Sequence, residues 1–211
     1  MIEIARLHYI TQDLPHTSHT EQIRMACDGG VKWVQLRVKG KDYQEWLPIA
    51  RDTQAVCREY NAIFIINDNV QIAKELGADG IHLGKTDMSP TEARTILGPN
   101  AIIGGTANSL EDVKHLLTQP VDYIGLGPYR FTTTKEKLAP VLGLEGIKLI
   151  INELLNDKTT KPIITIGGIT INDIDALMES GIYGIAVSSA INLAENPTFV
   201  ASNLVAKFAS H

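Results

Sequence analysis

Two cysteines stand in a chain of 211 residues, too few for a disulfide framework, and neither Cys27 nor Cys57 has a metal or redox spacing. Both lie in segments of helical pattern, where a thiol packs as a small apolar group, so a reducing, cytoplasmic setting is expected. No apolar run approaches the ~20 residues that a membrane helix needs. Met1–Arg6 also lacks a basic stretch followed by a long apolar one, so neither a span nor a secretory leader is expected. Lys and Arg number 19 against 24 Asp and Glu, a net charge of -5, and no basic cluster could follow a nucleic-acid backbone. Nucleic acid and membrane are therefore not expected partners. The six histidines offer no zinc set, since only His16 and His19 lie close together, in a polar connection after the first strand. There is no low-complexity linker to divide the chain, no nucleophilic triad, no dinucleotide fingerprint, and no strand lysine placed for a Schiff base.

What remains is a soluble chain, 44% hydrophobic, able to bury a large core as one domain over residues 1–211. Apolar, β-rich runs recur at Leu7–Thr11, Val31–Leu36, Ala62–Ile66, Gly80–Leu83, Ala101–Gly104, Val121–Leu126, Ile163–Ile166 and Gly184–Val187. Helical spacing fills the intervals, at Tyr43–Tyr60, Val70–Leu76, Pro90–Leu97, Leu110–Leu117, Leu144–Leu155 and Ile171–Glu179. Ser89-Pro90-Thr91-Glu92 and Ser109-Leu110-Glu111-Asp112 read as helix starts, and Gly77, Gly98 and Gly181 as helix ends. Eight strands alternating with helices, with an echo between Gly77–Ile81 and Gly181–Ile185, predict an α/β fold: a single-domain (β/α)8 TIM barrel.

In such a barrel chemistry sits at the C-terminal strand ends. Gln35, Arg37 and Lys39 alternate there, so an extended chain would turn all three to one face and hold an anion; the alternative is an exposed strand end. Asn67 and Asp68 follow the third strand, His82, Lys85 and Asp87 the fourth, and Thr106 and Asn108 the fifth. Two carboxylates beside cations suit Mg2+, which takes oxygen ligands and shares phosphate oxygens; an N-cap for Asp68 and a turn role for Asp87 are the alternatives. After the sixth strand Gly125–Lys135 presents Thr132, Thr133, Thr134 and Lys135 with no carboxylate before Glu136. That stretch reads as a phosphate clamp or as a surface loop bonding its own backbone. Gly167-Gly168 before a helix at Ile171 and Ser188-Ser189 before a helix at Ile191 would aim backbone amides at a second anion. A small phosphorylated metabolite fits this inventory better than any macromolecule.

Taken in order, Gln35-Leu36-Arg37-Val38-Lys39, Ile66-Asn67-Asp68, Gly80–Gly84 with Asp87, Gly125–Pro128 with Thr132–Lys135, Gly167-Gly168-Ile169 and Ser189-Ala190-Ile191 resemble the thiamine phosphate synthase family. The resemblance runs from the first strand to the last helix. It implies an enzyme, a transferase that joins 4-amino-2-methyl-5-hydroxymethylpyrimidine diphosphate to a thiazole phosphate and releases diphosphate. It also implies that Gln35, Arg37, Lys39, Asn67 and Lys135 hold the pyrimidine diphosphate, with His82 and Thr106 lining that site. Asp68 and Asp87 would bind the Mg2+ cofactor, and Thr132, Thr134, Gly168, Ser188 and Ser189 the thiazole phosphate. Arg37, Lys39 and Lys135 would carry catalysis by stabilising the departing diphosphate, and the 131–140 loop would close over it.

The chain departs from the family pattern where Asn69 replaces an arginine, where Thr106-Ala107-Asn108 replaces Ser-x-His, and where His8 replaces a tyrosine. A related thiazole tautomerase uses a histidine at the position of Asn108, an amide that is a poor proton carrier. Whether the chain forms a homo-oligomer is left open by its sequence.

Overall fold

The protein is described by a computed structural model over residues 4–131, 140–155 and 161–209. Eight parallel strands form a closed barrel in sequence order: β1 (Leu7–Ile10), β2 (Trp33–Leu36), β3 (Ile63–Asn67), β4 (Gly80–Leu83), β5 (Ile102–Ala107), β6 (Tyr123–Leu126), β7 (Ile163–Ile166) and β8 (Gly184–Val187). β8 returns to β1, with Leu7 opposite Ile185 and Tyr9 opposite Val187. The expected (β/α)8 barrel is therefore what forms.

Because helices cover a parallel sheet, its strands are apolar on both faces. The alternation of side chains then divides the core in two. Ile10, Trp33, Ile65, Ile102, Tyr123, Ile164 and Ala186 fill the barrel. Their neighbours, among them Val34, Phe64, Ile66, Ile103 and Ile185, pack outward against the helices.

Those helices are α1 (His19–Asp28), α2 (Tyr43–Glu59), α3 (Val70–Leu76), α4 (Pro90–Leu97), α5 (Leu110–Leu117), α6 (Gly143–Leu155), α7 (Ile174–Glu179), the short α8 (Ser189–Asn192) and α9 (Pro197–Ala209). Their starts follow local chemistry. Ser18, Asp42 and Ser89 each accept from the backbone three residues on, and the glutamates Glu21, Glu45 and Glu92 return the bond. Gly77 ends α3 in the left-handed conformation, φ 56°. Late in the chain α9 lies on α1, with Thr198 Oγ1 donating to the Met25 carbonyl at 3.0 Å.

Three expectations need correction. β5 does not stop at Gly104 but runs on to Ala107, carrying Thr106 within the strand. Gly104 and Gly105 are small for packing reasons: a Cβ on Gly104 would overlap the Tyr123 ring, and one on Gly105 would stand 2.7 Å from Leu116. Ile171 opens a 3-10 turn, Ile171–Asp173, before α7, and the helix expected at Ile191 begins at Ser189. Among the described residues no helix is long and apolar enough to cross a membrane.

Candidate active site

Alternation along the strands aims the chemistry at the barrel mouth. Trp33 faces inward, so Gln35 shares its side and Arg37 continues it; Ile65 does the same for Asn67, and Ile102 for Thr106. Asn67 lies opposite His82 in register, and His82 opposite Gly104.

Beneath this rim is a layer of rings. His8 stacks on Trp33 with centroids 3.8 Å apart, Tyr123 stands edge-on to Trp33 at 4.9 Å, and His82 lies 5.5 Å from Tyr123. His82 is held at both nitrogens, Nδ1 by Tyr123 Oη at 3.0 Å and Nε2 by Thr106 Oγ1 at 2.9 Å. Gln35 Nε2 reaches His8 Nε2 at 3.5 Å. Burial drives the His8 pKa well below its ordinary value, helped by nearby His82, so this ring is neutral. Buried Asn67 leaves its Nδ2 without a hydrogen-bond partner, as Trp33 does its Nε1. An unpaired buried amide donor at the mouth is suited to an acceptor on a ligand.

Acidic groups gather on the β3–β4 side. Asp68 sits in the left-handed region at φ 63°, lies near enough to Asp87 for the two carboxyls to affect each other's ionisation, and pairs with Lys39 Nζ. Asn69, not Asp68, caps α3, accepting from the Ile72 amide at 3.0 Å. The N-cap alternative for Asp68 therefore falls away, and a cap accounts for Asn69. Asp87 does hold its own turn, accepting from the Gly84 amide at 2.6 Å, while staying against Asp68. Burial opposes ionisation of Asp68, but Asp87 and Lys39 outweigh it and its pKa is lowered. Burial and then the Asp68 charge raise that of Asp87. Crowded carboxylates with one cation are a natural cation seat. Among the described residues no three His, Cys, Asp or Glu side chains cluster as metal ligands, so a pair of oxygen donors is what the site offers.

The remaining expected residues divide. Lys85 is drawn to α5, pairing with Asp112 at 2.7 Å, and Asn108 Nδ2 donates to the Gly127 carbonyl. Gly168 adopts φ 63°, and its carbonyl accepts from Arg130 Nη1 at 2.9 Å. Ser188 donates to Gln12 Oε1 at 3.0 Å and accepts from Asn192 Nδ2 at 3.1 Å, so its hydroxyl is already engaged. Ser189 opens α8, directly after it. Thr132, Thr134, Lys135 and all of the expected 131–140 lid between its end residues lie outside the described residues. Sequence reasoning missed the ring layer. Its signal was the step of two from Tyr123 to Gly125, matched by Gly104 across the ladder.

The class defined by this fold and mouth is a (β/α)8 barrel with cationic and amide side chains beside a carboxylate pair at the C-terminal strand ends. A family model described as "Thiamine monophosphate synthase" matches residues 7–191, and the chain belongs to that family. It is 49% identical over 192 residues to a thiamine-phosphate synthase of Flavobacterium psychrophilum, covering 91% of this chain and 93% of that one. It is 48% identical to a thiamine-phosphate synthase of Phocaeicola vulgatus, covering 90% and 92%. Among solved structures it is similar to the thiamine phosphate pyrophosphorylase of Pyrococcus furiosus, with a TM-score of 0.84, 31% identity, and 97% and 96% of the two chains covered.

Proposed function

We propose that this enzyme is a cytoplasmic thiamine-phosphate synthase that joins 4-amino-2-methyl-5-hydroxymethylpyrimidine diphosphate to a thiazole phosphate and releases diphosphate. The observation that carries the reading is the cluster of Asp68, Asp87 and Lys39 at the mouth that also holds Gln35, Arg37 and Asn67, in a chain of this family.

Asp68 and Asp87 would hold Mg2+. The donor set fits, since two carboxylates leave room for the waters and phosphate oxygens that this hard cation keeps. When bound, the ion supplies positive charge next to the diphosphate. Arg37 and Lys39, with Lys135 assigned from sequence alone, bind the diphosphate and stabilise the charge it gains as the carbon–oxygen bond breaks. The electron pair leaves with diphosphate, and the electron-rich aminopyrimidine stabilises the methylene cation. Its carbon then bonds to the thiazole nitrogen. Gln35, Asn67, His82 and Thr106 orient the pyrimidine, and the Asn67 amide offers a donor that needs an acceptor. Gly168, Ser188 and Ser189, with Thr132 and Thr134, hold the thiazole phosphate, Ser188 more through its backbone than through its engaged hydroxyl. No protein nucleophile takes part; positioning and charge carry the rate.

Purified protein incubated with both substrates and Mg2+ should form thiamine phosphate and diphosphate together, and EDTA should stop both. Binding of the thiazole phosphate without turnover would replace this reading with a regulatory barrel.

A further inference from the structure

The backbone of Arg37 and Lys39 lies beyond the end of β2, where the sheet no longer holds it. The last backbone bond from β1 is the Thr11 amide to the Gln35 carbonyl at 3.0 Å. Side chains then take over from main chain. The Arg37 amide donates to Thr11 Oγ1 at 3.0 Å, and the Lys39 amide donates to Asp13 Oδ2 at 3.0 Å. Two amides two residues apart are thus caught by two side chains two residues apart. Their spacing keeps the chain extended and keeps Arg37 and Lys39 on one face.

Both side chains are joined by one ring. His19 Nδ1 meets Thr11 Oγ1 at 2.9 Å, and Nε2 meets Asp13 Oδ1 at 3.1 Å. An ionised Asp13 can only accept, so Nε2–H donates to it. Nδ1 then accepts from the Thr11 hydroxyl, whose oxygen accepts from the Arg37 amide. Every donor in this chain finds an acceptor with His19 neutral, and burial lowers its pKa against the pull of Asp13. The ring has a fixed base, because Ser18 and Glu21 close a capping box at the first turn of α1. Thr11 and His19 are buried. The histidine that offers no zinc set has this task instead.

We infer that Thr11, His19 and Asp13 form a bracket that positions Arg37 and Lys39 for the substrate diphosphate; this rests on the proposed assignment of those two cations. His19 is a positioning residue, remote from the reacting atoms. The bracket acts on one substrate only, so its loss separates the two Michaelis constants.

The test is steady-state kinetics with each substrate varied in turn, with Mg2+ present, on wild type, His19→Ala, His19→Gln, Thr11→Val, Arg37→Ala and Lys39→Ala. His19→Ala should raise KM for the pyrimidine diphosphate by about tenfold, leaving that for the thiazole phosphate within about twofold. His19→Gln, whose amide nitrogen can stand in for Nε2, should recover part of the loss. Thr11→Val keeps the volume and removes both the acceptor for the Arg37 amide and the hydroxyl bonded to His19 Nδ1, so it should show the same split even if His19→Ala folds poorly. Equal changes in both constants, or none, in His19→Ala and Thr11→Val would overturn the bracket while a raised constant in Arg37→Ala upholds the diphosphate assignment. An unchanged constant in both Arg37→Ala and Lys39→Ala would overturn that assignment, and the bracket's purpose with it.

Discussion

Tyr123 occupies the space that any side chain at residue 104 would need. A Cβ on Gly104 would overlap the tyrosine ring, and that ring both packs edge-on to Trp33 and presents its hydroxyl to His82. A glycine in β5 thus sets the orientation of a histidine on β4. Gly104→Ala should destabilise the fold by roughly 3 kcal/mol, because an overpacked, fully buried barrel interior has no room to relax. Urea unfolding should register this as a lower midpoint at unchanged slope. A variant within about 0.5 kcal/mol of wild type would mean that Tyr123 is not fixed where the glycine leaves room.

Thr106 is the outer partner of the same histidine, at 2.9 Å from Nε2. Thr106→Val preserves shape and removes the hydroxyl, leaving that nitrogen without its partner. Its KM for the pyrimidine diphosphate should rise by about tenfold, the cost of one hydrogen bond in a half-buried setting, while Thr106→Ser should stay near wild type. The replacement of serine by threonine in this chain is then a matter of packing only. Equal behaviour of the valine and serine variants would remove Thr106 from the site.

The barrel was legible because its code is local. Apolar runs, capping boxes at Ser89 and glycine stops at Gly77 each follow from a few neighbouring residues. The inward face was legible by counting in twos from Gln35 to Arg37. What could not be read was any relation across the ladder. Gly104-Gly105 has the local appearance of a strand end, and only Tyr123 and Leu116, distant in sequence, reveal it as a space for rings and branches. Asn69 departs from the family's arginine, yet its role is to cap α3. His19 reads from sequence as part of a polar connection with no periodic context, and its bonds to Thr11 and Asp13 become visible only when the start of α1 folds back on the chain leaving β1.

Asp68 and Asp87 press two carboxylates together with Lys39 as their cation. If they seat Mg2+, each of Asp68→Ala and Asp87→Ala should lower turnover on the order of a hundredfold at limiting Mg2+, and excess metal should restore part of it. Mg2+ titration of initial rates would show the apparent metal affinity weakened in both variants. Full activity of either variant at limiting Mg2+ would withdraw that residue from the metal site.

Asp173 and Arg130 give the loop after β6 its hold on the turn after β7. Arg130 bonds both Asp173 oxygens, at 2.6 and 2.8 Å, and the Gly168 carbonyl at 2.9 Å. The guanidinium, aided by the Thr170 amide and hydroxyl against the effect of burial, holds the Asp173 carboxyl at about 2. Its unfolded value is ~3.9. A depressed carboxylate contributes stability that is fully present above the unfolded value and is lost as pH falls towards the folded one. The full shift corresponds to about 2.5 kcal/mol, and with Arg130 half exposed screening reduces this to about 1–2 kcal/mol. Asp173→Asn should therefore be less stable than wild type by that amount at pH 7, with the gap narrowing as pH is lowered from 5 towards 3. Urea midpoints across that range test it. A gap that stays constant with pH would show that Asp173 acts through neutral hydrogen bonds alone and that its charge does not hold the Gly168 turn.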